Sequence, residues 1–379
     1  MPLPDPIYLD HNATTPLLPE VVDAMLPYLR EHFGNPSSGH VYGQRAKQAV
    51  TRARQQLAAL LGCQEDEVFF TSGGTEANNL AIRGVAEARP ERRRLVTSAI
   101  EHPATEKPCQ WLAKHGQDIQ RIQSDAEGRV RLEEAARLID DTTALVTVMH
   151  SNNETGVLQP IAELAELARR HGAVMHTDAA QSLGKVAVRV DDLGVDLLSI
   201  AGHKLYAPKG VGALYVRRGT PIAPLVLGAG HERGLRPGTE NVASIVALGQ
   251  ACEIAGGTLA QEQARQTQLR DQLEQSLRAQ VPGLALNGHA QLRLANTLNV
   301  RFPRVSGTAL LAACPQVAAS TGSACHDGGE SASAVILALG VDPQDALGSV
   351  RLTLGRGTTA ADVARAAELL VEAWRKMAA

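Results

Sequence analysis

Lys204 is the residue whose type and position most directly predict chemistry in this sequence. It lies in an Ala-Gly-His-Lys turn just after the apolar run Val195–Ile200, and Asp178 ends an earlier apolar run that starts at Ala173. An amine beyond one strand end and a carboxylate at a neighbouring strand end suit an aldehyde cofactor, which forms a Schiff base with the amine and pairs its ring nitrogen with the carboxylate. A lone lysine is usually solvated and a lone aspartate usually caps a helix, so the prediction depends on the pair.

A glycine-rich segment predicts a phosphate site. Thr71-Ser-Gly-Gly-Thr-Glu-Ala-Asn-Asn79 follows the apolar run Val68–Phe70 and opens a helical pattern. Backbone N–H groups at a helix N-terminus, together with nearby hydroxyls, bind anions. An ordinary helix cap at Ser72 or Thr75 is the alternative interpretation.

Cys325 differs from the other cysteines. It lies beside His326 in a small, polar, glycine-rich stretch, Ser320–Glu330, where a reactive thiol is expected. The five cysteines are odd in number, far apart and without Cys-x-x-Cys spacing, so the sequence predicts neither a disulfide framework nor a metal site. The other four fit inert, small hydrophobic residues: Cys63, Cys109, Cys252 and Cys314.

Alternating strand-length and helical patterns must position these residues. They predict an α/β fold with a mostly parallel sheet covered on both faces. Polar clusters follow several of the strands, at the edge where such sheets bind ligands, and His102 is one of them. His102 is either a capping histidine or a ring stacked on a planar cofactor. The predicted strands are Arg94–Ile100, Thr143–His150, Ala173–Asp178, Asp196–Ile200 and Val211–Val216, with a helix at Ile161–His171.

A second, smaller unit follows a long helical pattern that runs from Val242 towards Gln280 and is interrupted at Gly256-Gly257. This unit has strands at Thr297–Phe302, near Val317–Ser320 and at Val350–Leu354, and a closing helix that reaches Trp374. The domain boundary is therefore predicted near residue 260.

Composition narrows the classes of partner. A formal net charge of −3 at pH 7 and 3% aromatic residues give no reason to expect nucleic acid. The sequence shows neither a basic, apolar leader nor an uncharged run long enough to span a bilayer, so a cytoplasmic protein without membrane partners is expected.

Seven motifs in order resemble the cysteine desulfurase and selenocysteine lyase family, within the class V, fold-type I pyridoxal-phosphate enzymes. The resemblance covers nearly the whole chain. The motifs are Tyr8-Leu-Asp-His-Asn-Ala-Thr-Thr-Pro16, Ser72-Gly-Gly-Thr-Glu-Ala-Asn-Asn79, Asn152-Asn-Glu-Thr-Gly156, His176-Thr-Asp-Ala-Ala-Gln181, Gly202-His-Lys204, Gly234-Leu-Arg-Pro-Gly-Thr-Glu-Asn241 and Ser349-Val-Arg-Leu-Thr-Leu-Gly-Arg356.

The resemblance implies a homodimer with a large domain, residues 15–260, which binds pyridoxal 5′-phosphate over a seven-stranded-type sheet. A small α+β domain, residues 1–14 and 261–379, would carry Cys325 and the arginine for the substrate carboxylate. The resemblance implies that Lys204 forms the Schiff base, that Asp178 contacts the ring nitrogen, that Gln181 and Asn153 contact the phenolic oxygen, and that His102 covers the ring face and takes part in catalysis. The phosphate would be bound by Gly74, Thr75, His203 and, from the other subunit, Thr239. The substrate carboxylate would be bound by Arg351, Asn153 and Asn12, and Cys325 would accept the sulfur.

The implied reaction converts L-cysteine to L-alanine and leaves sulfur as a persulfide on Cys325, for delivery to an acceptor protein such as an iron–sulfur scaffold. Two departures bear on this. Ala201 stands where many desulfurases have a hydroxyl, and Cys325-His-Asp327 looks closer to selenocysteine lyases. Three alternatives stay open: a lyase for L-selenocysteine, a class V aminotransferase and a sulfur-relay scaffold without its own chemistry.

Overall fold

The computed structural model describes residues 5–321 and 331–378. Its strands are β1 (Ile7–Tyr8), β2 (Val68–Thr71), β3 (Arg94–Ser98), β4 (Asp118–Ile122), β5 (Thr143–Thr147), β6 (Val174–Asp178), β7 (Leu197–Ala201), β8 (Gly212–Val216), β9 (Ala285–Leu286), β10 (Thr297–Arg301), β11 (Val317–Ala318) and β12 (Ser349–Thr353). Its helices are α1 (Pro19–Arg30), α2 (Val41–Leu61), α3 (Gly74–Ala88), α4 (Pro103–Lys114), α5 (Leu132–Leu138), α6 (Ile161–Arg170), α7 (Val190–Leu193), α8 (Val242–Gln280), α9 (Gly307–Ala312), α10 (Ala334–Ala338), α11 (Pro343–Ala346) and α12 (Ala360–Ala378).

The large sheet of the described residues has seven strands in the order β2-β8-β7-β6-β5-β3-β4. The pairs among β7, β6, β5, β3 and β4 are parallel, whereas β8 is antiparallel to both of its neighbours. The mostly parallel α/β sheet expected from the sequence is therefore confirmed.

Both faces of this sheet are covered, because successive residues of its central strands pack into different hydrophobic clusters. In β5, Leu145 belongs to one cluster and Val146 to another. In β7, Leu197 and Leu198 are divided in the same way. Strands buried on both faces read as continuous apolar runs, which is why the sequence pattern identified them.

A third cluster forms the core of the smaller unit around a three-stranded antiparallel sheet in the order β12-β10-β9. Leu9 joins this cluster from the beginning of the chain, and Trp374 joins it from α12. The hydrophobic core of the large sheet includes buried residues of α8 as far as Ala255. The core of the smaller unit includes buried residues of α8 from Leu269 onward. The boundary near residue 260 stays a prediction.

Helix α8 is continuous through Gly256 and Gly257, contrary to the predicted interruption. Two glycines cost an α-helix only about 1 kcal/mol each. Packing on both sides of the pair, with Ala255 in one core and Leu269 in the other, outweighs that cost. By length and composition alone α8 could cross a membrane. However, half of its most apolar 18-residue segment is buried, as in the core helix of a folded domain.

Candidate active site

A cavity of about 490 Å³ lies where β6 and β7 end and α3 begins. Its lining includes ten of the residues singled out in the sequence, from both the large and the small unit: Asn12, Gly74, Thr75, His102, Asn153, Asp178, Gln181, His203, Lys204 and Arg351. A volume of this size is typical of a small-molecule site. The structure thus brings these side chains to one place, and their individual roles stay predictions.

Lys204 is positioned by a short 3-10 turn, Gly202–Lys204, that follows β7 directly. Its Nζ donates to the backbone carbonyl oxygens of Asn12 and Ala13, the latter at 2.7 Å. Burial, followed by the charge of Arg351, lowers the pKa of Lys204 to about 8. An amine with this pKa is partly neutral near pH 7 and can act as a nucleophile and a base.

Asp178 is the last residue of β6 and is buried. It pairs with Ser199 of the parallel strand β7, which leads into the turn that carries Lys204. Its Oδ1 accepts from the backbone N–H of Ala180 at 2.9 Å, and its Oδ2 accepts from Asn78 Nδ2 at 2.6 Å. These donors fix the carboxylate at the cavity wall.

Asn78 is a site residue to which the sequence analysis gave no role. It lies in the first turns of α3, lines the cavity, and its buried Oδ1 lacks a hydrogen-bond partner among the described residues. The available signal was its position: an amide one turn inside the helix whose N-terminus was expected to bind phosphate.

His102 is the N-cap of α4, since its Nδ1 accepts from the backbone N–H of Ala104 at 3.1 Å. Desolvation lowers the pKa of His102 below 6.5, with Lys204 adding to the effect and Asp178 opposing it. The ring is therefore neutral near pH 7, and with Nδ1 as the acceptor its proton is on Nε2. The capping role and the predicted stacking role are compatible, because the ring also lines the cavity.

The N-terminus of α3 has the features expected of an anion site. The helix begins at Gly74, and no side chain caps it at Gly73. The first N–H groups of α3, at the positive end of the helix dipole, therefore point away from the helix. A Cβ on Gly74 would lie 3.1 Å from Ala201 Cβ, which shows how closely this turn approaches the end of β7. His203 contacts Thr14 Oγ1 at 3.2 Å.

Gln181 and Asn12 are joined in a network that the sequence did not predict. Gln181 Nε2 donates to the Asn12 carbonyl oxygen at 2.9 Å. Asn12 Nδ2 donates to Thr297 Oγ1 at 3.0 Å, and its Oδ1 accepts from Lys185 Nζ at 2.9 Å. In this structure the Asn12 amide therefore braces the site.

Arg351, on β12, is buried and reaches the cavity from the smaller unit. One guanidinium nitrogen donates to the Asn153 carbonyl oxygen at 2.9 Å, and another pairs with Asp10 Oδ1 at 2.7 Å. Its Nε is buried without a hydrogen-bond partner among the described residues. Asp10, which is part of a quoted motif but was given no role, thus holds part of the guanidinium fork predicted to bind a substrate carboxylate.

Among the described residues, one predicted site residue does not line this cavity. Thr239 is exposed on the loop before α8 and is absent from the lining. It was assigned to the site of another subunit, and that assignment stays a prediction. Cys325 lies outside the described residues. Within residues 5–321 and 331–378, no cluster of three His, Cys, Asp or Glu side chains could hold a metal ion.

The residues present fit pyridoxal 5′-phosphate. The lining supplies an amine with a lowered pKa, a buried carboxylate braced by two donors, a neutral imidazole and an uncapped helix N-terminus. These groups match the aldehyde, the ring nitrogen, the ring face and the phosphate of that cofactor.

Comparison with known proteins agrees with this chemistry. The Aminotransferase class-V family model matches residues 7–366. The cysteine desulfurase of Trichormus azollae is 44% identical over 368 residues, which cover 97% of this chain and 92% of that protein. Among solved structures, a NifS-like protein superposes with a TM-score of 0.91 at 35% identity, over 97% of this chain and 98% of that chain. SspA in complex with cysteine superposes with a TM-score of 0.81 at 35% identity, over 92% and 98% of the two chains.

The chain belongs to the class V aminotransferase family of fold-type I enzymes. Within that family it is an enzyme of the cysteine desulfurase group, as the resemblance implied. The enzymes of this group depend on pyridoxal 5′-phosphate and act on cysteine.

Proposed function

We propose that this cysteine desulfurase binds pyridoxal 5′-phosphate in the cavity around Lys204 and moves sulfur from L-cysteine to Cys325. L-cysteine and the Cys325 thiol yield L-alanine and a Cys325 persulfide. In this exchange the carbon–sulfur bond of the substrate breaks, a sulfur–sulfur bond forms, and the displaced protons complete alanine and the persulfide. The observation that carries the proposal is the meeting of Lys204, Asp178 and Arg351 at one cavity.

Several groups would hold the cofactor. The N–H groups at Gly74 and Thr75, with His203, would bind its phosphate, Asp178 would face its ring nitrogen, and His102 would cover its ring. When bound, the cofactor supplies an aldehyde that links to amines and a ring that accepts the electron pair released at the substrate Cα.

Lys204 has two roles in the proposal. As a neutral amine it would anchor the cofactor, and as a base it would take the proton from the substrate Cα. Its lowered pKa supports both roles, because a larger fraction of the amine is neutral at neutral pH than in a lysine with its ordinary pKa. The Asn12 and Ala13 carbonyl oxygens hold the amine at the cavity wall.

Arg351 would orient the substrate by its carboxylate, which suits a guanidinium fork. Arg351 lines the cavity, and its guanidinium is held there by the Asn153 carbonyl oxygen and by Asp10. The solved complex of SspA with cysteine supports a substrate of this size and charge.

The experiment that tests the function is a competition between L-cysteine and L-selenocysteine at equal concentration, with alanine and the mass of the Cys325 peptide measured. The proposal expects alanine from L-cysteine and one added sulfur on Cys325. Turnover of L-selenocysteine alone would instead identify a selenocysteine lyase. Turnover of L-cysteine that requires a keto-acid acceptor, gives the corresponding keto acid and survives Cys325→Ala unchanged would favour aminotransferase chemistry.

We propose further that the enzyme acts as a homodimer in the cytoplasm and passes its sulfur to an acceptor protein, such as an iron–sulfur scaffold. An exposed apolar patch supports the dimer: Leu29, Phe33, Val41 and Tyr42, of which Phe33 and Tyr42 stack with ring centroids 5.7 Å apart. Patches of this kind usually mark protein interfaces. Sedimentation of the purified protein should give twice the chain mass, and a monomer would contradict the dimer.

A further inference from the structure

A second amine, Lys185, lies beside the candidate site. Its Nζ donates to Asn12 Oδ1 at 2.9 Å and to Gln181 Oε1 at 3.0 Å. Gln181 and Lys185 are four residues apart in a compact turn after β6, where the N–H of Leu183 donates to the carbonyl oxygen of Ala179. The Lys185 amine therefore joins the side chains of Asn12 and Gln181, both of which line the cavity.

Gly184 allows this turn to approach the segment that carries Lys204. Its φ is +76°, and a Cβ there would lie 2.1 Å from Leu205 Cδ1 and 3.2 Å from Ala255 Cβ. Leu205 directly follows Lys204, so the contact brings Lys185 close to the catalytic amine. Lys185 and Lys204 also line one small internal cavity together.

Lys185 has no acidic partner among the described residues. Both of its side-chain acceptors are neutral amide oxygens. Desolvation and the charge of Lys204 lower the pKa of Lys185 well below 10.5. An apolar side chain of the same length would avoid this electrostatic cost, so packing alone does not account for an amine at this position.

The amine determines which way the Gln181 amide faces. An ammonium group has three N–H donors and a neutral amine has two, enough in either state to bond both oxygens. The Oε1 of Gln181 is therefore held on the side of Lys185, which directs its NH2 group to the other side. There it donates to the Asn12 carbonyl oxygen at 2.9 Å, in the lining of the cavity.

The orientation of Asn12 is fixed independently. Its Nδ2 donates to the carbonyl oxygen of Asn153 at 3.3 Å and to Thr297 Oγ1 at 3.0 Å. Its Oδ1 consequently faces Lys185 and also accepts from Asn296 Nδ2 at 3.1 Å. Lys185 therefore bonds to a fixed acceptor on one side and to Gln181 on the other.

We propose that Lys185 is a positioning residue that holds the Gln181 amide with its NH2 group towards the phenolic oxygen of the cofactor. This inference rests on the proposed function, together with the assignment of the phenolic oxygen to Gln181 that the family resemblance implies. Lys185 itself touches neither substrate nor cofactor in the proposal.

A double-mutant cycle of Lys185→Met and Gln181→Leu tests the proposal. The readouts are the dissociation constant of pyridoxal 5′-phosphate from the apo-protein and the pH midpoint of the visible absorbance of the holo-protein. Each single variant should weaken cofactor binding about tenfold, the scale of one hydrogen bond to an anionic oxygen. Both should shift the absorbance midpoint in the same direction, and the double variant should match Gln181→Leu alone.

Two further variants serve as controls for the double-mutant cycle. Lys185→Arg keeps donors at this position and should recover part of the affinity. Lys114→Met removes an exposed lysine at the end of α4, far from the network, and should behave as the unaltered protein. Unchanged affinity in Lys185→Met would overturn the inference, and so would losses that add in the double variant.

A structure of the unaltered protein with pyridoxal 5′-phosphate bound tests the same point if Lys185→Met does not fold. Gln181 should then lie between Lys185 Nζ and the phenolic oxygen, and a Gln181 side chain turned away from Lys185 would overturn the inference. Failure of the unaltered protein to bind the cofactor is a separate outcome, because it would refute the proposed function before any variant is compared.

Discussion

Asp178 Oδ2 accepts a hydrogen bond of 2.6 Å from Asn78 Nδ2, although the two residues are 100 positions apart in the chain. Asn78 belongs to α3, whose N-terminus forms the predicted phosphate site. One helix therefore supports both ends of the proposed cofactor site, the phosphate at its first turn and the carboxylate through Asn78.

Loss of the Asp178 charge should therefore affect catalysis strongly, and loss of Asn78 less. Asp178→Asn is expected to reduce kcat with L-cysteine about 10²-fold or more, because the carboxylate stabilises charge that develops on the ring. Asn78→Ala should reduce it about tenfold, since it removes one donor to a charged group. Alanine formation measures both effects.

Asn79→Ala is the matched control for Asn78→Ala. It is the next residue of α3, and its amide bonds to the Thr75 carbonyl oxygen, not to Asp178. It should leave kcat close to that of the unaltered enzyme. Equal losses in the two asparagine variants would show that the helix, and not the bond to Asp178, matters.

Substitution of Arg351 should change substrate binding more than cofactor binding. Arg351→Lys keeps the charge but not the planar fork that holds Asp10 and the Asn153 carbonyl oxygen. We expect the KM for L-cysteine to rise about tenfold or more, while the visible absorbance of the holo-protein is unchanged. Steady-state kinetics measure the first and spectra the second, and an unaltered KM would refute the assignment.

Ala201→Ser should strengthen cofactor binding. Ala201 lines the cavity next to Gly74, where a hydroxyl would add a donor to the proposed phosphate site. One added hydrogen bond stabilises by about 1 kcal/mol, so the affinity for pyridoxal 5′-phosphate should rise about fivefold. Ala201→Val adds bulk without a donor and should weaken binding. Equilibrium titration of the apo-protein distinguishes the two outcomes.

Glu101 should make the folded protein less stable as the pH rises. Burial raises the pKa of Glu101 from 4.5 to about 8, with its Oε1 accepting from the Met149 N–H at 3.0 Å. Between these two values the folded state keeps a proton that the unfolded state has released, so the stability present below pH about 4.5 is lost progressively as the pH rises towards 8.

Glu101→Gln removes this ionisation and should flatten the corresponding part of the stability profile. Denaturant unfolding at several pH values measures the free energy of unfolding of both proteins. The difference between variant and unaltered protein should grow in favour of Glu101→Gln as the pH rises. A constant difference would mean that Glu101 is ionised in the folded protein.

The strands of the large sheet could be predicted because they are buried on both faces and read as apolar runs. The positions of Asp178 and Lys204 followed, since the carboxyl ends of neighbouring parallel strands meet at one edge. β4 (Asp118–Ile122) was not predicted, because its sequence, Asp-Ile-Gln-Arg-Ile, is partly polar at the edge of the sheet.

The supporting residues of the site could not be predicted in the same way. Asn78, Asp10 and Lys185 act through side-chain contacts with residues distant in the chain, and no local pattern reports such contacts. Asp10 and Asn78 lie inside motifs that were quoted for other reasons. Continuity of α8 likewise depends on packing against two cores, which outweighs the local preference of its glycines.

Reduction with borohydride followed by peptide mass analysis tests the central claim most directly. The reagent fixes pyridoxal 5′-phosphate to the amine with which it has formed its Schiff base. We expect the added mass on the peptide that contains Lys204, and none in Lys204→Ala. Attachment to another lysine, such as Lys185, or no attachment in the unaltered protein, would contradict the assignment of Lys204.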